Sequence, residues 1–173
     1  MQPRPSWLVL SWAMLALSPL PVAAGELPDA IAARGETVIA TVHAVGSQVY
    51  ECKADPAVGT LAWQFREPIA TLFISGKTVG RHYAGPKWEL IDGSVVSGKV
   101  AARAPAASAI DIPLLKLDVA SRRGDGRLSD VTTIQRINTK GGVAEGTCNE
   151  AGAFLSVPYT ADYTFLSKSD PRR

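Results

Sequence analysis

The residues best suited to chemistry fall in one short stretch, Gly80-Arg81-His82-Tyr83-Ala84-Gly85-Pro86-Lys87-Trp88, where an imidazole, two aromatics and cations sit among glycines. An aromatic beside a histidine and a lysine suits a small anionic or sugar-like ligand, because the ring supplies apolar area and the polar groups fix orientation. The period of two along a strand sends His82 and Tyr83 to opposite faces, so spacing alone does not unite them. The structural alternative makes His82 a hydrogen-bonded residue near a strand end and Trp88 part of the core. Arg136 is a further candidate. Mid-strand, it needs either a carboxylate, for which Asp162 is a possible partner, or a polar cavity in which it faces a ligand. Tyr159 and Tyr163, on the last strand-like segment, complete the expected ligand-contacting set of His82, Tyr83, Lys87, Trp88, Arg136, Tyr159 and Tyr163.

Other chemistries lack their signatures. His43 lies among small and β-branched residues and reads as a partly buried, hydrogen-bonded histidine. No third or fourth ligand at zinc spacing accompanies the two histidines, and no metal or cofactor is expected. There is no G-x-S-x-G elbow, and Gly124-Asp125-Gly126 lacks the alternating carboxylates and closing glutamate of a calcium loop. Asp111, Asp118, Asp130 and Asp162 supply carboxylates that a glycosidase would pair, a weak signal in any β protein.

The compartment is read from the N-terminus. Arg4 precedes an uncharged apolar run, Trp7 to Leu17, shorter than the roughly 20 residues that span a bilayer. Pro19 and Pro21 then break the helix, and Val22-Ala23-Ala24 presents the small residues that a signal peptidase reads. The expectation is a signal peptide over residues 1–24, cleaved after Ala24. One domain over residues 25–173, with its core at about 37–167, would then be periplasmic or extracellular, with no later membrane-spanning segment. The net charge of +2 and the scatter of basic residues argue against a nucleic-acid surface. Two cysteines, Cys52 and Cys148, would form a disulfide in an oxidising compartment, with buried free thiols or a reactive thiol as alternatives.

The elements that must position these side chains read as strands. After a possible helical turn at Asp29, Thr37 to Ala44 alternates, Gly46-Ser47 suits a tight turn, and Gln48 to Lys53 returns as a second strand. Asp55 to Gly59 is a loop, and Pro68 ends or edges the Trp63–Phe65 strand. Ile69 to Ile74 is a buried run, Ser75-Gly76-Lys77 a turn, and Thr78 to Tyr83 the next strand. Asp92-Gly93 carries a hairpin signal between Trp88–Ile91 and Ser94–Val100. Ala101 to Ala109 reads as a loop or weak helix. Ile110 to Val119, Val131 to Asn138 and Tyr159 to Phe165 read as further strands. The pattern predicts an all-β fold, a single antiparallel β-barrel or β-sandwich.

Several of these segments together resemble a known family. They are Val45 to Cys52, Gly80 to Gly98 (GRHYAGPKWELIDGSVVSG), Gly126 to Gly142 (GRLSDVTTIQRINTKGG), Cys148, and Val157 to Phe165 (VPYTADYTF). On them the chain resembles the secreted bacterial and fungal proteins grouped as domain of unknown function 3455. The resemblance implies an exported, mostly β domain and carries no established activity. A dehydrogenase label borne by some fungal relatives finds no Gly-rich strand-to-helix fingerprint here. The functional expectation is a non-catalytic module that binds a small molecule or glycan. A small secreted hydrolase and a surface or structural interaction module are the alternatives from other classes.

Overall fold

The computed structural model describes residues 27–57 and 59–168, so the expected signal peptide and the terminal Pro171-Arg172-Arg173 lie outside the described residues. The domain is all-β. Eight strands follow in order: β1 (Glu36–Ala54), β2 (Leu61–Ile74), β3 (Lys77–Tyr83), β4 (Lys87–Leu90), β5 (Val95–Ala104), β6 (Leu114–Arg123), β7 (Thr133–Gly141) and β8 (Phe154–Lys168). Each pairs antiparallel with the next, and β1 pairs with β8 from Glu36↔Lys168 to Glu51↔Phe154, so the sheet closes into a barrel. Of the two expected architectures, this is the barrel.

Alternation sets the interior. On β8, Tyr159, Ala161, Tyr163 and Phe165 are all buried, as their spacing predicts, and on β1 the inward residues are Ala40, Val42 and Ala44. The Asp92-Gly93 turn joins β4 to β5, and a 3-10 turn occupies Asp29–Ile31. That turn packs against the outer wall, where the Gln135 side-chain amide donates to the Ile31 carbonyl (2.6 Å) and Lys116 donates to that of Ala32 (3.1 Å).

Three expectations about strand limits are corrected. Gly46-Ser47 is not a turn, since β1 runs through it without a break and pairs Gly46 with Ala70 on one side and Tyr159 on the other. The glycine serves close approach instead: a Cβ at Gly46 would collide with the Ile69 carbonyl and with Ala70. Likewise β2 continues through Pro68, which pairs with Gln48, while pairing to β3 begins only at Ala70. The missing N–H of Pro68 therefore falls where β2 lacks a second neighbour. Finally, β5 extends to Ala104, into the stretch read as loop or weak helix.

The two ends of the barrel differ. At one end the loop between β6 and β7 folds inward, placing Leu128 and Val131 fully buried in the core. Asp92 holds that loop, accepting from the Arg127 N–H (2.7 Å) as well as from Ser94 N (2.9 Å) and Oγ (2.6 Å). These donors keep the Asp92 carboxyl below its ordinary pKa. At the opposite end the loops lace together around an opening. Asp111 bridges to Gly142, Ile112 N–H donates to the Gly141 carbonyl (2.9 Å), and Tyr50 Oη donates to the Gly142 carbonyl (2.7 Å). Cys52, near the end of β1, is disulfide-bonded to Cys148 in the loop between β7 and β8.

Two outcomes follow from this packing. Gly46→Ala should lower stability by about 1–3 kcal/mol, because the clash is with backbone and cannot relax by a rotamer change; urea unfolding checks it, and an unchanged midpoint contradicts the close approach. Reducing the Cys52–Cys148 bond should lower the melting temperature, since it frees a loop of nearly 100 residues worth at most about 4.7 kcal/mol. Differential scanning calorimetry with and without reductant reads this, and an unchanged midpoint counts against it.

Candidate functional site

The open end leads to a cavity of about 530 Å³ between the strands. Its position follows from register. His82 on β3 and Trp88 on β4 are directly opposed, and their rings stack with centroids 4.4 Å apart and planes 11° from parallel. Gly98 on β5 leaves room for the indole, since a Cβ there would lie 3.2 Å from the Trp88 ring. Tyr163 reaches the same place from β8, its ring 4.9 Å from His82 and 5.1 Å from Trp88. Arg136 is paired with Tyr163 across the β7–β8 ladder. His82, Trp88, Tyr163 and Arg136 all line the cavity.

The other expected residues lie elsewhere. Tyr83 and Lys87 are on the outer face. There Tyr83 Oη donates to Glu89 (2.9 Å), Arg81 pairs with the same carboxylate (3.0 Å), and the Lys87 ammonium lies 6.0 Å from the Tyr83 ring centre. Tyr159 is buried beside the cavity rather than lining it. Arg136 does not pair with Asp162. The register sets Tyr163 opposite Arg136, so Asp162, one residue away, points outward. Arg136 instead donates through Nε (3.0 Å) and Nη2 (2.8 Å) to the Pro113 carbonyl. Asp162 accepts from Asn138 (2.8 Å) and contacts His43 Nδ1 (2.7 Å), so His43 is hydrogen-bonded but exposed, not partly buried.

Further lining residues went unread in the sequence. Gln48 is buried on the inward face of β1, in step with Ala40, Val42 and Ala44, so the signal was lost only because the strand was ended at Gly46. Arg103 lines the cavity from the part of β5 read as loop. Arg66 is the extra residue of a bulge on β2, skipped between Val49↔Glu67 and Tyr50↔Phe65, which a two-residue period does not foretell.

Electrostatics and hydrogen bonding define what the cavity offers. His82 Nδ1 sits 2.8 Å from the Lys87 carbonyl, which can only accept, so this nitrogen carries the proton and Nε2 remains an acceptor. Burial, the main cause, pushes the imidazole pKa down to about 3, and the Arg136 charge adds to the shift. The ring is therefore neutral at physiological pH. Burial likewise raises the Tyr159 and Tyr163 phenols, which stay protonated. Gln48 Nε2, Tyr159 Oη and Tyr163 Oη are buried without a hydrogen-bond partner. They lie beside one another, with Arg136 close to the two phenols. A buried donor left unpaired costs about 1–3 kcal/mol. Among the described residues, no cluster of His, Cys, Asp and Glu could hold a metal ion.

The His82 shift has a pH signature. Above pH 6.5 neither state is charged. Below it the unfolded chain takes up a proton that the native ring refuses until about pH 3, so stability falls as pH drops through that window. The slope approaches about 1.4 kcal/mol per pH unit. In urea titrations from pH 7 to pH 4.5, His82→Gln should flatten the decline relative to the parent. Parallel declines would mean that the imidazole is hydrated and titrates normally.

No curated protein and no solved structure matches the chain. A family model described as protein of unknown function (DUF3455) matches residues 32–167, which spans the entire barrel except Lys168 at the end of β8. The chain belongs to that family.

Proposed function

We propose that this protein is an exported, non-catalytic module that holds a small molecule inside the barrel. The observation that carries the reading is the cavity at the open end, with buried Gln48 and Tyr163 presenting unpartnered polar atoms among aromatic and aliphatic walls. An eight-stranded barrel has an interior that side chains fill or that accepts one small ligand. Here large side chains occupy the closed half, and about 530 Å³ stays open above them, within the usual range for ligand sites.

Binding is better supported than hydrolysis. No carboxylate lines the cavity, and Asp111, Asp118, Asp130 and Asp162 all lie outside it. His82, with its pKa pushed down to about 3, is too weak a base for proton abstraction near neutrality. Export is supported by the apolar N-terminal run and by the Cys52–Cys148 bond, which suits an oxidising compartment. Among the described residues no helix is long and apolar enough to cross a membrane.

A thermal-shift screen of the oxidised domain against metabolites and glycans tests the reading. A ligand present at 100 times its dissociation constant should raise the melting temperature by about 5–10 °C. Tyr163→Phe removes an orphaned hydroxyl, so the variant alone should be as stable as the parent or more so, while losing part of the ligand's shift. No shift with any compound would sink the proposal. So would a Tyr163→Phe variant that keeps the full shift together with a Gln48→Met variant that does the same.

A further inference from the structure

We infer that the ligand is a small organic anion with an apolar body, its charge held by Arg103 and Arg136 and its body lying toward the apolar wall that includes His82, Trp88 and Tyr163. This rests on the binding reading above and narrows it to one chemical class. The first observation is register. Arg103 on β5 is opposite Leu115 on β6, and Leu115 is opposite Arg136 on β7. Residues directly opposite share a face, so the two guanidinium groups flank one buried leucine on the cavity side, with their backbones roughly 10 Å apart.

The second observation is charge balance. Arg66, Arg103 and Arg136 line the cavity and no carboxylate does. Arg66 is already matched by Glu67 (3.2 Å) and lies 3.8 Å from Glu51. Among the described residues Arg103 and Arg136 have no carboxylate within 4.0 Å, and Arg136 spends Nε and Nη2 on a neutral carbonyl. Two uncompensated guanidinium groups beside an apolar wall favour an anion, and their planar forks match a carboxylate or sulfonate in particular.

The interior sets the remainder of the ligand. His82 is neutral and the deeper polar groups are uncharged, so nothing there calls for a second charge. The His82, Trp88 and Tyr163 rings, packed against one another, make the inner part of the wall apolar. Tyr163 Oη and Gln48 Nε2 can donate to a carbonyl or hydroxyl on the ligand's body, and His82 Nε2 can accept from it. A neutral glycan would leave both arginines unmatched.

Two fluorescent probes with one shared body separate the claims. 8-Anilinonaphthalene-1-sulfonate carries a sulfonate, and N-phenyl-1-naphthylamine is the same framework without it. The sulfonate should bind the oxidised protein one to one and at least about tenfold more tightly than the amine. Arg103→Gln and Arg136→Gln should each weaken the sulfonate about three- to tenfold and leave the amine within about twofold. Arg103 is exposed, so its variant should fold even if Arg136→Gln loosens the Pro113 contact. Equal binding of the two probes, or sulfonate binding indifferent to both arginine variants, would overturn the anion while leaving the barrel a small-molecule site. Failure of both probes, with no compound shifting the melting temperature, would overturn the binding reading as well.

Discussion

The seam between β1 and β8 is the constraint on which the molecule depends. It joins the first strand to the last across almost the full length of both, and it turns an open meander into a closed tube, with partial edges where β3 and β4 are short. Once the seam is closed, strand number and tilt set the width, and each inward residue is committed to a fixed level in the tube. Residues from β3, β4, β7 and β8, far apart in sequence, meet at one height only because of this closure. An open sheet with the same strands would leave Tyr163 without His82 and Trp88.

Along that tube the contents change from dense to sparse. At the far end an inturned loop fills the lumen with Leu128 and Val131, and Asp92 fastens it. The middle level is aromatic. The near end carries arginines and unsatisfied polar atoms, and its loops are braced by Asp111, Tyr50 and the disulfide. On the proposed binding reading, a braced rim around open space is a sensible use of stability, because a preorganised site loses little on ordering when an occupant arrives. Leaving Tyr159 and Tyr163 without partners works in the opposite direction and weakens the fold.

Much of the architecture was legible in the sequence, and so was part of the site. The Tyr159–Phe165 alternation, the Asp92-Gly93 turn and the cysteine pair correspond to local rules, and each is found as read. His82, Trp88, Arg136 and Tyr163 do converge on one cavity. The failures are non-local. Gly46 looks like a turn because a lone sequence shows its flexibility and not the β2 backbone that presses on it. Gln48 was lost with that strand. Arg103 hid in an alanine-rich stretch whose strand character comes from its β6 neighbour, and Arg66 sits on a bulge that shifts the period. Tyr83 and Lys87 looked promising through proximity in sequence, which a pleated strand converts into opposite faces.

The cross-link has a topological result besides its effect on stability. Cys52 stands near the end of the first strand and Cys148 shortly before the last, so every loop from the first hairpin to the one joining β6 and β7 lies between them. A protease that cuts one of those exposed loops severs the chain but not the molecule, because both pieces stay attached through sulfur. With the barrel ladders intact as well, a single nick leaves the walls standing. A barrel cross-linked this way outlasts the continuity of its own backbone.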